Sequence, residues 1–405
     1  MIEHTNTPEL RFPEFREEWK FQQLGNLAQF SKGKLLSKKD LNTSGIPCIL
    51  YGELYTKYGA ILNKVYSKTA TQNDSLIFSK KNQILIPSSG ETDIDIATAT
   101  AIDTDIKIAI GGDLNIITPI SSDGRFISLY INGKGKYNLA KYAQGKSVVH
   151  LYNSDIKKLK FNLPTNINEQ EKIGAFFSKL DRQIELEEKK LELLEQQKRG
   201  YMQKIFSQEL RFKAENGNSY PEWSIKRIED ISKVNKGFTP NTKNNEYWDE
   251  LNENWLSIAG MTQKYLYKGN KGITEKGASK HAKVDKDTLI MSFKLTLGKL
   301  AIVKEPIYTN ETICHFIWKE SNVNTEYMYY YLNSINISTF GAQAVKGVTL
   351  NNDSINSIIV KLPVIQEQNK IADFLESIDK LVIKQSNKVE LLKQRKQGLL
   401  QKMFV

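Results

Sequence analysis

The chain has 405 residues, of which 40% are hydrophobic and 25% charged. That is the balance of a globular protein with two or three domains, not of a disordered or fibrous one. A net charge of +11 suits a polyanionic partner such as nucleic acid without requiring one.

No apolar run approaches the roughly 20 residues that cross a bilayer, and Met1-Ile2-Glu3-His4 does not begin a secretory signal. A cytoplasmic location without membrane contact is expected. Cys48 and Cys314 lie one in each half, so plain interior thiols are expected rather than a disulfide framework or a zinc cluster. Most of the basic surplus falls in residues 1–165 and 207–363, while residues 166–206 are balanced.

In chain order, short β-rich runs come first, at Pro47–Tyr51, Gln83–Ile86, Lys107–Ile110 and Asn115–Ile117, followed by a helix over Arg125–Asn132. Ala140-Lys141-Tyr142-Ala143-Gln144-Gly145-Lys146-Ser147 nearly fits a phosphate loop. Such a loop must follow a buried strand and open a helix, whereas Val148-Val149-His150-Leu151 reads as a strand. A basic loop facing phosphates is the better reading of Lys146 and Ser147.

A long amphipathic stretch follows. Its apolar seam is Ile173, Phe177, Leu180, Ile184, Leu191, Leu194, Tyr201 and Ile205, in alternating steps of four and three, with Glu187 and Lys198 as polar interruptions. Sustained 3.5-residue periodicity argues for a coiled coil. Each such helix, at about 38 residues, spans about 57 Å.

The second half repeats this plan. Leu163-Pro164 with Glu169-Gln170-Glu171-Lys172-Ile173 returns as Leu362-Pro363 with Glu367-Gln368-Asn369-Lys370-Ile371, a shift of 198 residues between the isoleucines. The second seam is Ile371, Leu375, Ile378, Val382, Val389, Leu392, Leu399 and Met403, with Gln385 and Lys396 at the two polar places. Gly200 and Gly398 also recur, which close backbone approach, a docking partner or simple drift would explain.

Before that second helix, strands are expected at Trp255–Ile258, Thr288–Met291, Leu300–Val303 and Thr312–Trp318, and a helix at Thr325–Asn333. Leu10-Arg11-Phe12 matches Leu210-Arg211-Phe212, and Lys32-Gly33 answers Lys236-Gly237. The middles diverge: Thr92–Asp105 is acidic and Thr-rich, whereas Lys264–Lys286 is crowded with lysine. Both globules read as α+β.

Lysine interleaves with tyrosine at Tyr55, Lys57 and Tyr58 and again at Lys264-Tyr265-Leu266-Tyr267-Lys268, a pattern suited to phosphate and base contact. Candidate DNA contacts are Lys32, Lys34, Tyr55, Lys57, Lys146, Ser147, Lys236, Lys264, Lys268 and Lys346. No methyltransferase tetrapeptide or metal-ligand cluster stands out, and His4, His150, His281 and His315 are scattered. A stand-alone nucleic-acid enzyme with an unfamiliar motif, and a coiled-coil scaffold that does not bind DNA, remain as alternatives.

Two divergent globules closed by near-identical helices, with the repeated Leu-Pro…Glu-Gln-x-x-Ile, resemble the specificity subunit of type I restriction–modification systems. The resemblance implies two similar α+β target recognition domains at opposite ends of an antiparallel coiled coil, related by a pseudo-two-fold axis. Residues 1–165 and 207–363 would be the recognition domains, and 166–206 and 364–405 the central and distal conserved helices. It also implies a non-catalytic chain that reads a bipartite asymmetric site in double-stranded DNA, with the helices as a ruler. Two modification subunits using S-adenosylmethionine and two restriction subunits using ATP and Mg2+ would supply the chemistry, with no cofactor on this chain.

Overall fold

The computed structural model describes residues 6–62, 64–279, 281–294, 296–344 and 347–405, the side chains of 342–344 and 347–348 excepted. Two compact units emerge, one of residues 1–190 with 385–405 and the other of residues 191–384. Each contains one globule with parts of both long helices, Ile167–Phe206 and Ile365–Lys402. No helix among the described residues is long and apolar enough to cross a membrane.

In the first unit an antiparallel sheet runs in the order Ala28–Lys32, Leu114–Pro119, Ile84–Pro87, Thr100–Ala101. A second sheet runs Leu41–Asn42, Ser67–Thr69, Ile46–Ile49, Ala109–Ile110, its last pair parallel. The expected strand at Pro47–Tyr51 stops at Ile49, because Glu53 accepts the Leu50 N–H at 3.0 Å and opens a helix over Tyr51–Thr56. Helix Gly124–Asn132 turns Phe126, Ile127 and Tyr130 into the core.

The second unit has a five-stranded sheet, Ser232–Lys236, Ile313–Trp318, Leu289–Ser292, Leu300–Val303, Tyr265–Leu266. Helix Thr325–Ser334 occupies the corresponding place in the core. Here the expected strand at Trp255–Ile258 ends at Leu256, and Ile258 begins a 3-10 turn. Both cysteines are fully buried, and burial pushes the thiols up to about 11 at Cys48 and about 12 at Cys314.

The repeated Glu-Gln joins each globule to its helix. Glu169, almost fully buried, accepts from Arg11 at 2.7 and 2.8 Å and from the Trp19 indole at 3.3 Å. Glu367 does the same for Arg211, at 3.2 and 2.9 Å, and for Trp223 at 3.0 Å. Gln170 donates to the Pro164 carbonyl and accepts from the N–H of Asp123, which caps helix Gly124–Asn132. Gln368 bonds Pro363 and Asn324 in the same roles, Asn324 capping helix Thr325–Ser334. The signature is therefore a buried polar clamp, and burying its carboxylate is tolerable only because three donors meet it.

Within each unit the helix segments run antiparallel. In the first unit, buried Ile173, Phe177, Leu180 and Ile184 share a core with Leu392, Met403 and Phe404. In the second, buried Ile205 and Phe206 meet Ile371 and Leu375, with Tyr201 against Phe374 at 5.1 Å between ring centres. Ile378 and Val389 are also buried, while Leu191, Leu194, Val382 and Leu399 are half-buried. The seam lysines end on carboxylates, Lys396 on Asp181 in the first unit and Lys198 on Asp379 in the second, each at 2.5 Å.

Close backbone approach does not explain the recurring helix glycines. A Cβ at Gly200 or Gly398 would meet nothing within 4 Å.

Candidate nucleic-acid interface

Strand Ala28–Lys32 ends at a corner where only glycine fits, because a Cβ on Gly33 would overlap the Gly111 carbonyl oxygen. Gly237 stands in the same relation to the Thr309 carbonyl after strand Ser232–Lys236. The repeated Lys-Gly thus divides its tasks. Glycine lets the strand end lie against a neighbouring backbone, and the preceding lysine is left exposed.

In the first globule, the Lys32 ammonium lies 5.8 Å from the centre of the Tyr152 ring, which stacks on His150 at 6.1 Å. The His150 backbone exchanges both hydrogen bonds with Gln144, at 2.9 and 2.7 Å. That closes a hairpin whose tip carries exposed Lys146 and Ser147. Gly145 takes φ +124°, a region that suits glycine. No helix follows the tip, so the near-match to a phosphate loop lacks the N–H cradle that ATP would need. Exposed Lys34 completes this basic edge, ahead of Leu35 and Leu36, which both have positive φ.

In the second globule the Lys236 ammonium sits 4.4 Å from the Phe293 ring. Strands Ala342–Ala344 and Gly347–Thr349 pair antiparallel at the place of the first globule's hairpin. Lys346 falls outside the described residues.

Three expected contacts, Lys264, Lys57 and Lys268, are engaged by carboxylates within the chain. Lys264 is the clearest correction. Its ammonium is held by Glu326 at 2.7 Å and the Tyr330 hydroxyl at 2.8 Å, and Tyr330 in turn donates to Asp379 at 2.6 Å. With 13% of its side chain exposed, it ties the globule to the distal helix rather than facing phosphate. Lys57 neutralises buried Glu53 at 2.9 Å, and Lys268 pairs with Glu253 at 2.5 Å on the surface. Tyr55 is half-buried, and that burial is the first cause of its raised pKa. Lysine–tyrosine alternation marks strand edges and helix faces as readily as it marks a DNA surface.

Sequence reasoning passed over the neighbours of the two corner lysines, Tyr152 and His150 beside Lys32 and, sharing a groove with Lys236, Phe238, His281 and Lys283. The lysine-rich stretch from 264 to 286 was the available signal. The histidines gave none, because a lone histidine in sequence carries no sign of what its ring will face.

The sequence matches the type I restriction modification DNA specificity domain twice, over residues 16–196 and 220–393. The chain belongs to that family. It is a DNA-specificity chain, each copy of the domain running from a globule into a long helix. The type I restriction enzyme MjaVIII specificity subunit of Methanocaldococcus jannaschii is 22% identical to it over 423 residues, 96% of this chain and 92% of that relative. The MjaIX specificity subunit of the same organism is 29% identical over 209 residues, so there the specificity chain spans about half the relative's length, 48%.

Among solved structures, the S subunit of a type I restriction-modification system from M. genitalium aligns with a TM-score of 0.61, covering 98% of the specificity chain and 99% of its own, at 16% identity. A structure described as the basis of complex assembly and conformational transition of the type I R-M system gives 0.59, with 95% and 97% covered at 12% identity. At those identities the likeness is one of fold.

Proposed function

We propose that this chain is the sequence-specific DNA-binding subunit of a type I restriction–modification complex, acting in the cytoplasm. Each globule reads one half of a bipartite, asymmetric target in double-stranded DNA. The observation that carries this is the clamp built twice. Arg11, Trp19 and Glu169 in one unit and Arg211, Trp223 and Glu367 in the other set unlike recognition middles on matching helices. Two copies of one frame with two different reading surfaces suit a site with two different halves.

The chain itself performs no chemistry in this reading and binds no cofactor. Two modification subunits carry S-adenosylmethionine and methylate adenine, and two restriction subunits use ATP and Mg2+. The continuous helices set the gap between half-sites, and residues 1–165 and 207–363 are the exchangeable recognition parts.

The test is an exchange of residues 1–165 for the corresponding segment of a relative, with methylated adenines mapped in the complex. One half-site should change, while the other half and the spacer stay as they were. A change in both halves, or in neither, would overturn the modular reading. Inserting one heptad into both helices should alter only the spacer.

A further inference from the structure

A groove of about 490 Å³ opens in the second globule beside the Lys236-Gly237 corner. One wall is strand Ser232–Lys236, part of the frame that both halves share. The other wall is the segment from His281 to Asp285, which falls in the stretch where the halves diverge.

The rings along this groove hold one another in place. Phe238 lies flat on His281, with centres 3.7 Å apart and planes 5° apart. Phe238 also meets Tyr308 edge-on at 5.7 Å, and the Lys283 ammonium lies 5.6 Å from the Tyr308 ring. The Phe238 carbonyl is itself fixed by the Trp255 indole N–H at 2.9 Å. An imidazole held flat against a phenyl ring keeps its orientation while its edge nitrogens stay available, and His281 is exposed. Asn352, exposed on the same groove, adds an amide that can pair with a purine edge. Lys236 and Lys283 flank these groups with cations steadied by Phe293 and Tyr308.

We infer that this groove reads the second half-site: Lys236 and Lys283 hold a phosphodiester strand, and His281 with Asn352 faces base edges. The shared wall supplies sequence-independent anchoring, and the divergent wall supplies the discrimination. A second groove, of about 650 Å³, is lined by Lys38, Tyr55, Glu53 and Asp113 in the first globule, just beyond its own Lys-Gly corner. Its walls carry different chemistry, as a different half-site requires.

This inference rests on the DNA-reading function proposed above, and the experiment separates the two. The full chain would be assembled with its modification partner as wild type, His281→Phe, Asn352→Ala and Lys236→Ala/Lys283→Ala, and folding would be checked by thermal melting. His281→Phe keeps the ring stack and removes the ring nitrogens. It and Asn352→Ala should each relax discrimination about tenfold or more at positions of one half-site only. The double lysine variant should weaken binding to all sequences alike and lower the slope of log affinity against log salt by about 1.8. Folded variants that keep the wild-type motif and salt slope would overturn the groove assignment alone. Absence of salt-dependent duplex binding by the wild-type complex would overturn the DNA-reading function itself.

Discussion

Gln385 donates through Nε2 to both the backbone carbonyl of Glu187, at 2.9 Å, and its carboxylate, at 2.6 Å. Two of the four polar interruptions of the heptad seams thus satisfy one another, and Lys388 adds a contact to the same carboxylate at 2.5 Å. A polar pair of this kind fixes register, because a slip by one heptad would leave the amide facing an apolar side chain.

Substitution of the pair should separate register from stability. Gln385→Leu alone should lower the melting temperature, since Glu187 loses two hydrogen bonds. Glu187→Leu/Gln385→Leu should recover or exceed the wild-type value while admitting alternative registers, seen as heterogeneous cross-links between engineered cysteines along the helices. The Glu187 carboxyl is held below its ordinary range, first by Lys388 and then by Gln385. Its contribution is therefore present above the unfolded carboxylate pKa and fades as pH falls through the lower folded value. A single variant as stable as the double one would contradict the pairing.

The Glu-Gln clamp should be costly to break. Glu169→Ala strands Arg11 and the Trp19 indole, and Glu367→Ala does the same to Arg211 and Trp223. Each should cost about 3 kcal/mol, measured by denaturant unfolding. Glu171→Ala, on the exposed face of the same helix, should stay within about 0.5 kcal/mol of wild type. A loss below about 1 kcal/mol at Glu169 or Glu367 would show that the clamp follows the fold rather than holding it.

The helix glycines should be removable in the free chain. With open space around each, Gly200→Ala and Gly398→Ala should raise stability by about 1 kcal/mol apiece. Loss of assembly with partner subunits in a stabilised variant would identify the glycines as docking positions. Unchanged assembly would mark them as tolerated drift.

His315 should make the second globule acid-sensitive. Its Nε2 lies 2.5 Å from the Thr309 hydroxyl, and burial pulls its pKa down to about 4. Between that value and an unfolded value near 6.5 the unfolded chain binds the extra proton, so stability falls as pH drops through this window, by roughly 3 kcal/mol in all. His315→Gln should flatten the profile over the same range. Urea titrations at pH 4.5, 5.5 and 6.5 would show it, and an equal slope in wild type and variant would assign the acid response to other groups.

Periodicity and duplication made the helices and the repeated frame legible from residues alone. A 3.5-residue seam needs only local spacing, and the Leu-Pro…Glu-Gln-x-x-Ile words needed only comparison of the chain with itself. The β-rich runs lie within a few residues of strands, with Glu53 reaching back to Leu50 to turn the end of one into a helix, but strands Ala28–Lys32 and Ser232–Lys236, largely polar and part-exposed, were not legible.

Basic residues were harder to sort. Lys264, beside Tyr265, and Lys236, beside Gly237, both read in sequence as candidate phosphate contacts. Only the fold gave Lys264 a carboxylate and a tyrosine hydroxyl as partners while leaving Lys236 at an open corner.

The sequence by itself determined the two-copy plan, the helix seams and the family, because these are carried by spacing along the chain. The tertiary structure alone decided which lysines keep a free charge, why glutamate and glutamine recur at each helix start, and where His281 meets Phe238. Those facts depend on groups tens to hundreds of residues apart in sequence, and which of them meet is settled by burial and hydrogen-bond satisfaction rather than by local pattern.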